Sequence, residues 1–223
     1  MTRRVIAIDG PAGAGKSSVS RALAARLGFT YVDTGAMYRA VGVLADEAGI
    51  ALDDDAALER LLAGLAFAVD GPQVTVNGRD MSDVIRRGDA GELASRVSTR
   101  PVVRAGLVEL QRRLGEAADV VMEGRDIGTV VFPHAQLKVF LTATAEERAR
   151  RRGLELRARG ETVDDAALVA GLQQRDARDA GRPIAPLRPA ESAVDLDTSA
   201  LSLDAVVDHL ERLARARCGL ADS

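Results

Sequence analysis

Between Gly10 and Ser17 the chain reads GPAGAGKS, the string from which chemistry can be argued most directly. The spacing of Gly10, Gly15, Lys16 and Ser17 is that of a P-loop. Small residues there let several backbone N–H groups converge on phosphate oxygens, and the helix that follows adds the positive end of its dipole. In such a loop Lys16 reaches the terminal phosphates of a nucleoside triphosphate and the Ser17 hydroxyl helps to hold Mg²⁺. Pro11, Ala12, Gly13, Ala14 and Ser18 complete the ATP-contacting stretch. Lys16 and Lys138 are the only lysines among thirty Lys and Arg residues, so Lys16 marks a place for a compact ammonium where a planar guanidinium would not fit.

A phosphate loop leaves the reaction open, because switches, motors and kinases share it. A guanine-reading Asn-Lys-x-Asp string is missing: the nearest, Asn77-Gly-Arg-Asp80, has no lysine. The segment Val32 to Arg39 brings Thr34, Tyr38 and Arg39 to the carboxyl edge of a sheet, where α/β proteins bind ligands, and Val120 to Thr129 delivers Arg125 and Asp126 to the same rim. Arg175, Arg178, Asp179 and Arg182 follow at helical steps, a pattern that suits either a ligand or a solvated, salt-bridged face. Arg148 and Arg152, one turn apart, leave the same two readings open.

These groups need a scaffold. Val5 to Ile8, Val120 to Met122, Leu137 to Leu141 and, more weakly, Ala193 to Leu196 read as buried strands, alternating with helical patterns. Helices are expected over Lys16 to Leu27, Val102 to Ala117, Thr144 to Arg159, Asp164 to Arg178 and Ser202 to Arg217, the last packing on the sheet. The alternation predicts an α/β fold with a parallel sheet flanked by helices. From Leu65 to Met81 the rhythm changes: Phe67 to Val69 and Val74 to Val76 flank Asp70-Gly-Pro-Gln73 like a hairpin, which places a small inserted lobe over residues 36–98. The core is then 1–35 and 99–223.

At 223 residues and 47% hydrophobic content the chain can bury a full core. A net charge of -3, no Trp and few aromatics argue against nucleic acid as a partner. No apolar run is long enough to cross a bilayer. One cysteine, Cys218, and a start, MTRRVIAIDG, without an apolar signal segment lead to the expectation of a cytoplasmic protein. The two histidines, His134 and His209, are too far apart in sequence to suggest a metal site.

Taken in order, GPAGAGKSS, VDTGAMYR, ASRVSTRPVVR, EGRDIGTVVFP and RDARDAGRPIAPL resemble bacterial cytidylate kinases over nearly the whole chain. The resemblance implies a P-loop kinase core, an inserted monophosphate-binding lobe with a small antiparallel β element, and a short lid near 150–165. It implies transfer of the γ-phosphoryl group of ATP to CMP or dCMP with Mg²⁺; a monomer is expected. Carried over by motif, Arg39, Arg125 and Arg182 hold the acceptor phosphate, and Arg175 and Asp179 the sugar. Ser95, Arg104 and Asp126 read cytosine, although Ser95 reads equally well as a helix-surface hydroxyl. Likeness to nucleoside monophosphate kinases places Arg148 and Arg152 at the lid over ATP. Lys16, Arg125 and Arg182 are the expected catalytic groups. The chain departs from many relatives in carrying Ser17-Ser18 for Gly-Thr, and from some in carrying Glu123 for Asp. The competing readings are another small-acceptor P-loop kinase, for UMP, dTMP or shikimate, and a regulator that binds ATP without transferring phosphate.

Overall fold

The computed structural model describes residues 3–70 and 73–221. Five parallel strands form the main sheet: β1 (Val5–Asp9), β2 (Thr30–Asp33), β6 (Val120–Gly124), β7 (Leu137–Thr142) and β8 (Val194–Asp197), in the order β2-β6-β1-β7-β8. β1 and β6 are buried at every position, which is why both appear in the sequence as unbroken apolar runs. Successive side chains alternate between two cores. Ile6 and Ile8 pack with Leu23 of α1 (Lys16–Leu27) and with Val206 and Leu210 of α8 (Leu203–Cys218). Val5 and Ala7 face the other way, toward Met122, Ile127 and Val131. The terminal helix packs on the sheet as expected, capped by the Ser202 hydroxyl, which accepts from Ala205 N.

The remaining elements build a second core. α2 (Thr34–Glu47), α3 (Asp55–Ala63), α4 (Ala90–Val97) and the first half of α5 (Pro101–Ala117) enclose Met37, Val41, Leu58, Leu93, Val103 and Leu107 together with a three-stranded antiparallel sheet. That sheet consists of β3 (Phe67–Asp70), β4 (Gln73–Val76) and β5 (Arg79–Asp80). The expected hairpin is present, pairing Phe67 with Val76 and Asp70 with Gln73; Gly71 and Pro72 of its turn lie outside the described residues. A second tight turn follows at Asn77-Gly78, both with positive φ, and leads into β5. α6 (Ala145–Ala158) and α7 (Asp165–Ala180) pack on one another beside the glycine loop. Among the described residues no helix is long and apolar enough to cross a membrane.

α2 and α4 approach closely at Gly42, where an added Cβ would lie 2.9 Å from the Leu93 backbone. Backbone cannot swing aside as a side-chain tip can. Gly42→Ala is therefore expected to destabilise the protein by about 1–3 kcal/mol through overpacking. Urea unfolding would show it as a lowered midpoint at unchanged slope.

Candidate active site

Functional groups gather at the carboxyl edge of the main sheet. β1 ends at Asp9, and Gly10, with φ +148°, turns the chain so tightly that a Cβ there would sit 2.0 Å from the Leu141 carbonyl oxygen. Only glycine fits. Gly13, at φ +77°, also lies close to Arg148, a Cβ there falling 3.1 Å from the Arg148 Cβ. The loop then enters α1 at Lys16, whose Nζ donates to Pro11 O at 2.7 Å. Burial, followed by the charge of Arg125, pulls the Lys16 ammonium down to about 7.

Facing the loop across a cavity of about 900 Å³ are side chains from five further segments. α2 supplies Thr34, Tyr38 and Arg39, α4 supplies Ser95, and α5 supplies Arg104. The turn after β6 supplies Arg125 and Asp126, and α7 with its C-terminal extension supplies Arg175, Asp179 and Arg182. Ala12, Gly13, Gly15, Lys16, Ser17, Ser18 and Arg152 line the same space. Gly10, Pro11 and Ala14 are not among the lining residues; they are buried and shape the loop from beneath.

Arg148 departs from expectation. Its side chain is buried: Nε donates to Ala143 O at 2.9 Å, Nη1 to Ala12 O at 3.1 Å, and both terminal nitrogens reach the Asp176 carboxylate of α7 at 3.1 and 2.6 Å. The structure uses it to strap α6, α7 and the glycine loop together and does not bring it to the cavity. Arg151, its neighbour, lines the cavity instead while bonding Thr198. Arg178 also points away, paired with exposed Glu92.

The arginines inside are short of counter-ions. Asp179, 1% exposed, accepts from Arg125 Nε at 3.3 Å and from Arg182 Nη2 at 2.5 Å. Arg39 is paired with Asp33 at 2.9 Å. Arg175 makes no ion pair among the described residues and its Nε is buried without a partner; burial and then Arg125 push its guanidinium down to about 10. Arg104 and Asp126 form a buried hydrogen-bonded pair beside Tyr38, whose phenol burial pushes up to about 12. The Thr34 hydroxyl is committed to Glu123 O at 2.7 Å, so it shapes the cavity wall.

Sequence reasoning passed over Arg21, Tyr31 and Asp33. Tyr31 donates to the Glu123 carboxylate, and Arg21 lies 5.5 Å above the Tyr31 ring. Asp33 ends β2, caps α2 through Ala36 N and faces Glu123. Burial and then the charge of Asp33 raise Glu123 above the usual carboxylate range. A hydroxyl from Ser17 and two mutually repelling carboxylates are the hard oxygen donors that suit Mg²⁺, and a cation between them would relieve the repulsion. Asp33 is the middle residue of the motif's first triplet, VDT, and was the signal that could have been read.

Comparison with known proteins accords with this geometry. A family model described as cytidylate kinase matches residues 6–216. The cytidylate kinase of Geobacter sp. (strain M21) is 51% identical over 222 residues, covering 98% of this chain and 95% of that protein. That of Citrifermentans bemidjiense is 50% identical with the same coverage. Among solved structures, a gluconokinase from Sinorhizobium meliloti 1021 aligns over 98% of this chain and 95% of its own, with a TM-score of 0.50 and 18% identity. A protein from Eubacterium ventriosum aligns over 94% and 97%, with a TM-score of 0.52 and 12% identity. Those two likenesses are of fold alone. The match to the sequence relatives runs from the glycine loop through the arginine-bearing α7 to α8, and on that ground the chain belongs to the cytidylate kinase family.

Proposed function

We propose that the protein transfers the γ-phosphoryl group of ATP to CMP or dCMP, giving ADP and CDP or dCDP. The observation that carries this reading is the half-buried Arg175, without an ion pair among the described residues and with its Nε buried and unpartnered, beside Arg125 and Arg182: a cage on the cavity that the phosphate loop also lines. A P-loop that only sensed ATP would have no use for a second anion site.

In this reading residues 10–18 cradle the ATP phosphates with Arg152 at the rim, while Arg39, Arg125 and Arg182 hold the acceptor phosphate and Arg175 and Asp179 the sugar. Residues 36–98 form the acceptor lobe, 1–35 and 99–223 the core, and the α6–α7 connection near 150–165 the lid. Arg148 is reassigned from ATP contact to support. Asp126 accepts from the exocyclic amine of cytosine while Arg104 donates to O2 and N3; uracil presents a carbonyl and an N–H at those places and leaves buried groups mismatched. Ser95 borders the same pocket.

An acceptor phosphate oxygen, already ionised, attacks the γ-phosphorus as the bond to the β-bridging oxygen breaks and ADP leaves, so no side chain need take a proton. Lys16, Arg125 and Arg182 bring the two anions into line and neutralise charge on the group in transit. Mg²⁺, held by Ser17 and backed by Glu123 and Asp33, would offset charge on the β- and γ-phosphates. All these groups come from one chain, which supports a monomer. A single cysteine and dependence on ATP support a cytoplasmic location.

Initial rates with CMP, dCMP, UMP, dTMP and shikimate in an ADP-coupled assay test the proposal. CMP or dCMP is expected to lead by at least about 100-fold; a leading non-cytosine acceptor, or no turnover at all, would overturn it.

Arg175→Met, which keeps the stem and removes the charge, is expected to lower kcat/KM for CMP about 100-fold with the ATP KM little changed. Without ligand the same variant is expected to unfold at higher temperature, since it relieves an uncompensated buried charge. A lower melting temperature would contradict the picture of stored repulsion.

Lys16 gives a pH signature. In the free protein its ammonium titrates near 7, and triphosphate stabilises the charged form and raises that value. Binding at pH 8 must therefore take up a proton, and ATP affinity should be flat below about pH 6 and weaken as pH rises past 7. Titration calorimetry in buffers of different ionisation enthalpy is expected to show this uptake, and Lys16→Arg to remove it.

A further inference from the structure

We infer that Asp9 is a positioning residue for base recognition, its carboxylate fixing the turn that presents Asp126. The inference rests on the reading of Asp126 as the cytosine reader. Asp9 is the last residue of β1, the middle strand of the main sheet, and is 3% exposed. It leads straight into Gly10, yet its carboxylate serves the neighbouring segment. Oδ1 accepts from Ile127 N at 2.9 Å and Oδ2 from Gly128 N at 2.8 Å.

Those are the two amides that follow Asp126. Residues Ile127–Val131 form a single π-helical turn with Asp126 at its N-cap, and the Asp126 carbonyl accepts from Val130 N at 2.9 Å and Val131 N at 3.2 Å. On the other side, Gly124 lies so close to Ile127 and Thr34 that a Cβ would approach them to 2.7 and 2.8 Å. With the backbone held on both flanks, the Asp126 side chain leaves the turn in one direction, toward Arg104. The Asp126 carbonyl bonds are local and Thr34 packs in from helix α2; Asp9 reaches the turn from more than a hundred residues away.

The chemistry of the two amides explains why a carboxylate stands at position 9. Burial raises the Asp9 carboxyl to about 6 even though both amides act to lower it, so its charge is costly to keep there. A neutral amide would be cheaper to bury. Yet Asn offers one acceptor and one NH₂, and the NH₂ would face an N–H donor. Only a carboxylate accepts at both places. The same contact joins the start of the ATP loop to the base-reading turn, so the two substrate sites share one rigid joint.

The test is internal competition between CMP and UMP for Asp9→Asn, with Asp126→Ala and the unaltered protein in parallel. With both acceptors in one reaction, the product ratio reports the ratio of kcat/KM values whatever fraction of the enzyme is folded. Asp9→Asn is expected to lower the CMP preference by about tenfold, as for loss of a buried charge-assisted hydrogen bond. Should the Asn variant give no active protein, Asp9→Ser, smaller and with one acceptor, is read in the same way. An unchanged ratio for position 9 alongside a collapsed ratio for Asp126→Ala overturns the inference and leaves Asp126 as the reader. An unchanged ratio in both overturns the reading of Asp126 itself.

Discussion

Arg125 and Arg182 divide one buried carboxylate between them, and Arg175 beside them has none. Like charges held together in a half-buried cleft repel more strongly than on an open surface, and here the surplus is positive. The effect reaches Lys16, since after burial the charge of Arg125 is the largest influence lowering its ammonium. Loop and cage, built from segments far apart in sequence, thus form one electrostatic unit before any substrate arrives. Two polyanions brought end to end meet a field that already offsets their mutual repulsion, and the cost has been met by folding.

What holds that unstable arrangement is the joining of two cores. α5 spans them: Val103 and Leu107 pack in the lobe, Val108 lies against the sheet-side cluster, and Leu114 touches both. Arg104 projects between, where lobe and sheet meet. α2 begins at the sheet edge with Thr34 bonded to Glu123 O and buries its middle, Met37 to Val43, in the lobe, so Tyr38 and Arg39 sit at the same seam. Closing or opening of the seam would move Arg39, Tyr38 and Ser95 against Arg125, Lys16 and Arg182.

Much of this was legible because it is local. The glycine loop is dictated by backbone demands at Gly10 and Gly15, and β1, β6 and β7 announce themselves as apolar runs. β2 escaped because only Tyr31 and Val32 of its four residues are buried, and β5 because it is two exposed charged residues. α3 and α4 carry few fully apolar turns, α3 burying only Leu58 completely. Arg148 was misjudged for a geometric reason: helical spacing from Arg152 says that two side chains share a face, not what that face meets, and for Arg148 it meets Asp176 of α7. The Asp9 contacts have no local signature at all.

The strap formed by Arg148 belongs to a wider pattern behind the glycine loop. Pro11 O is held by Lys16 at 2.7 Å, Ala12 O by Arg148 at 3.1 Å and Ala14 O by the Thr198 hydroxyl at 3.3 Å. In a trans peptide the N–H points opposite to the C=O, so each grip on a carbonyl also fixes the direction of the amide that follows it, those of Ala12, Gly13 and Gly15. Arg148 and Thr198 are fixed in turn by Asp176 of α7 and Arg151 of α6. The loop's capacity to bind phosphate is therefore set by what grips its carbonyls. Of the three grips only Lys16 both holds a loop carbonyl and lines the cavity.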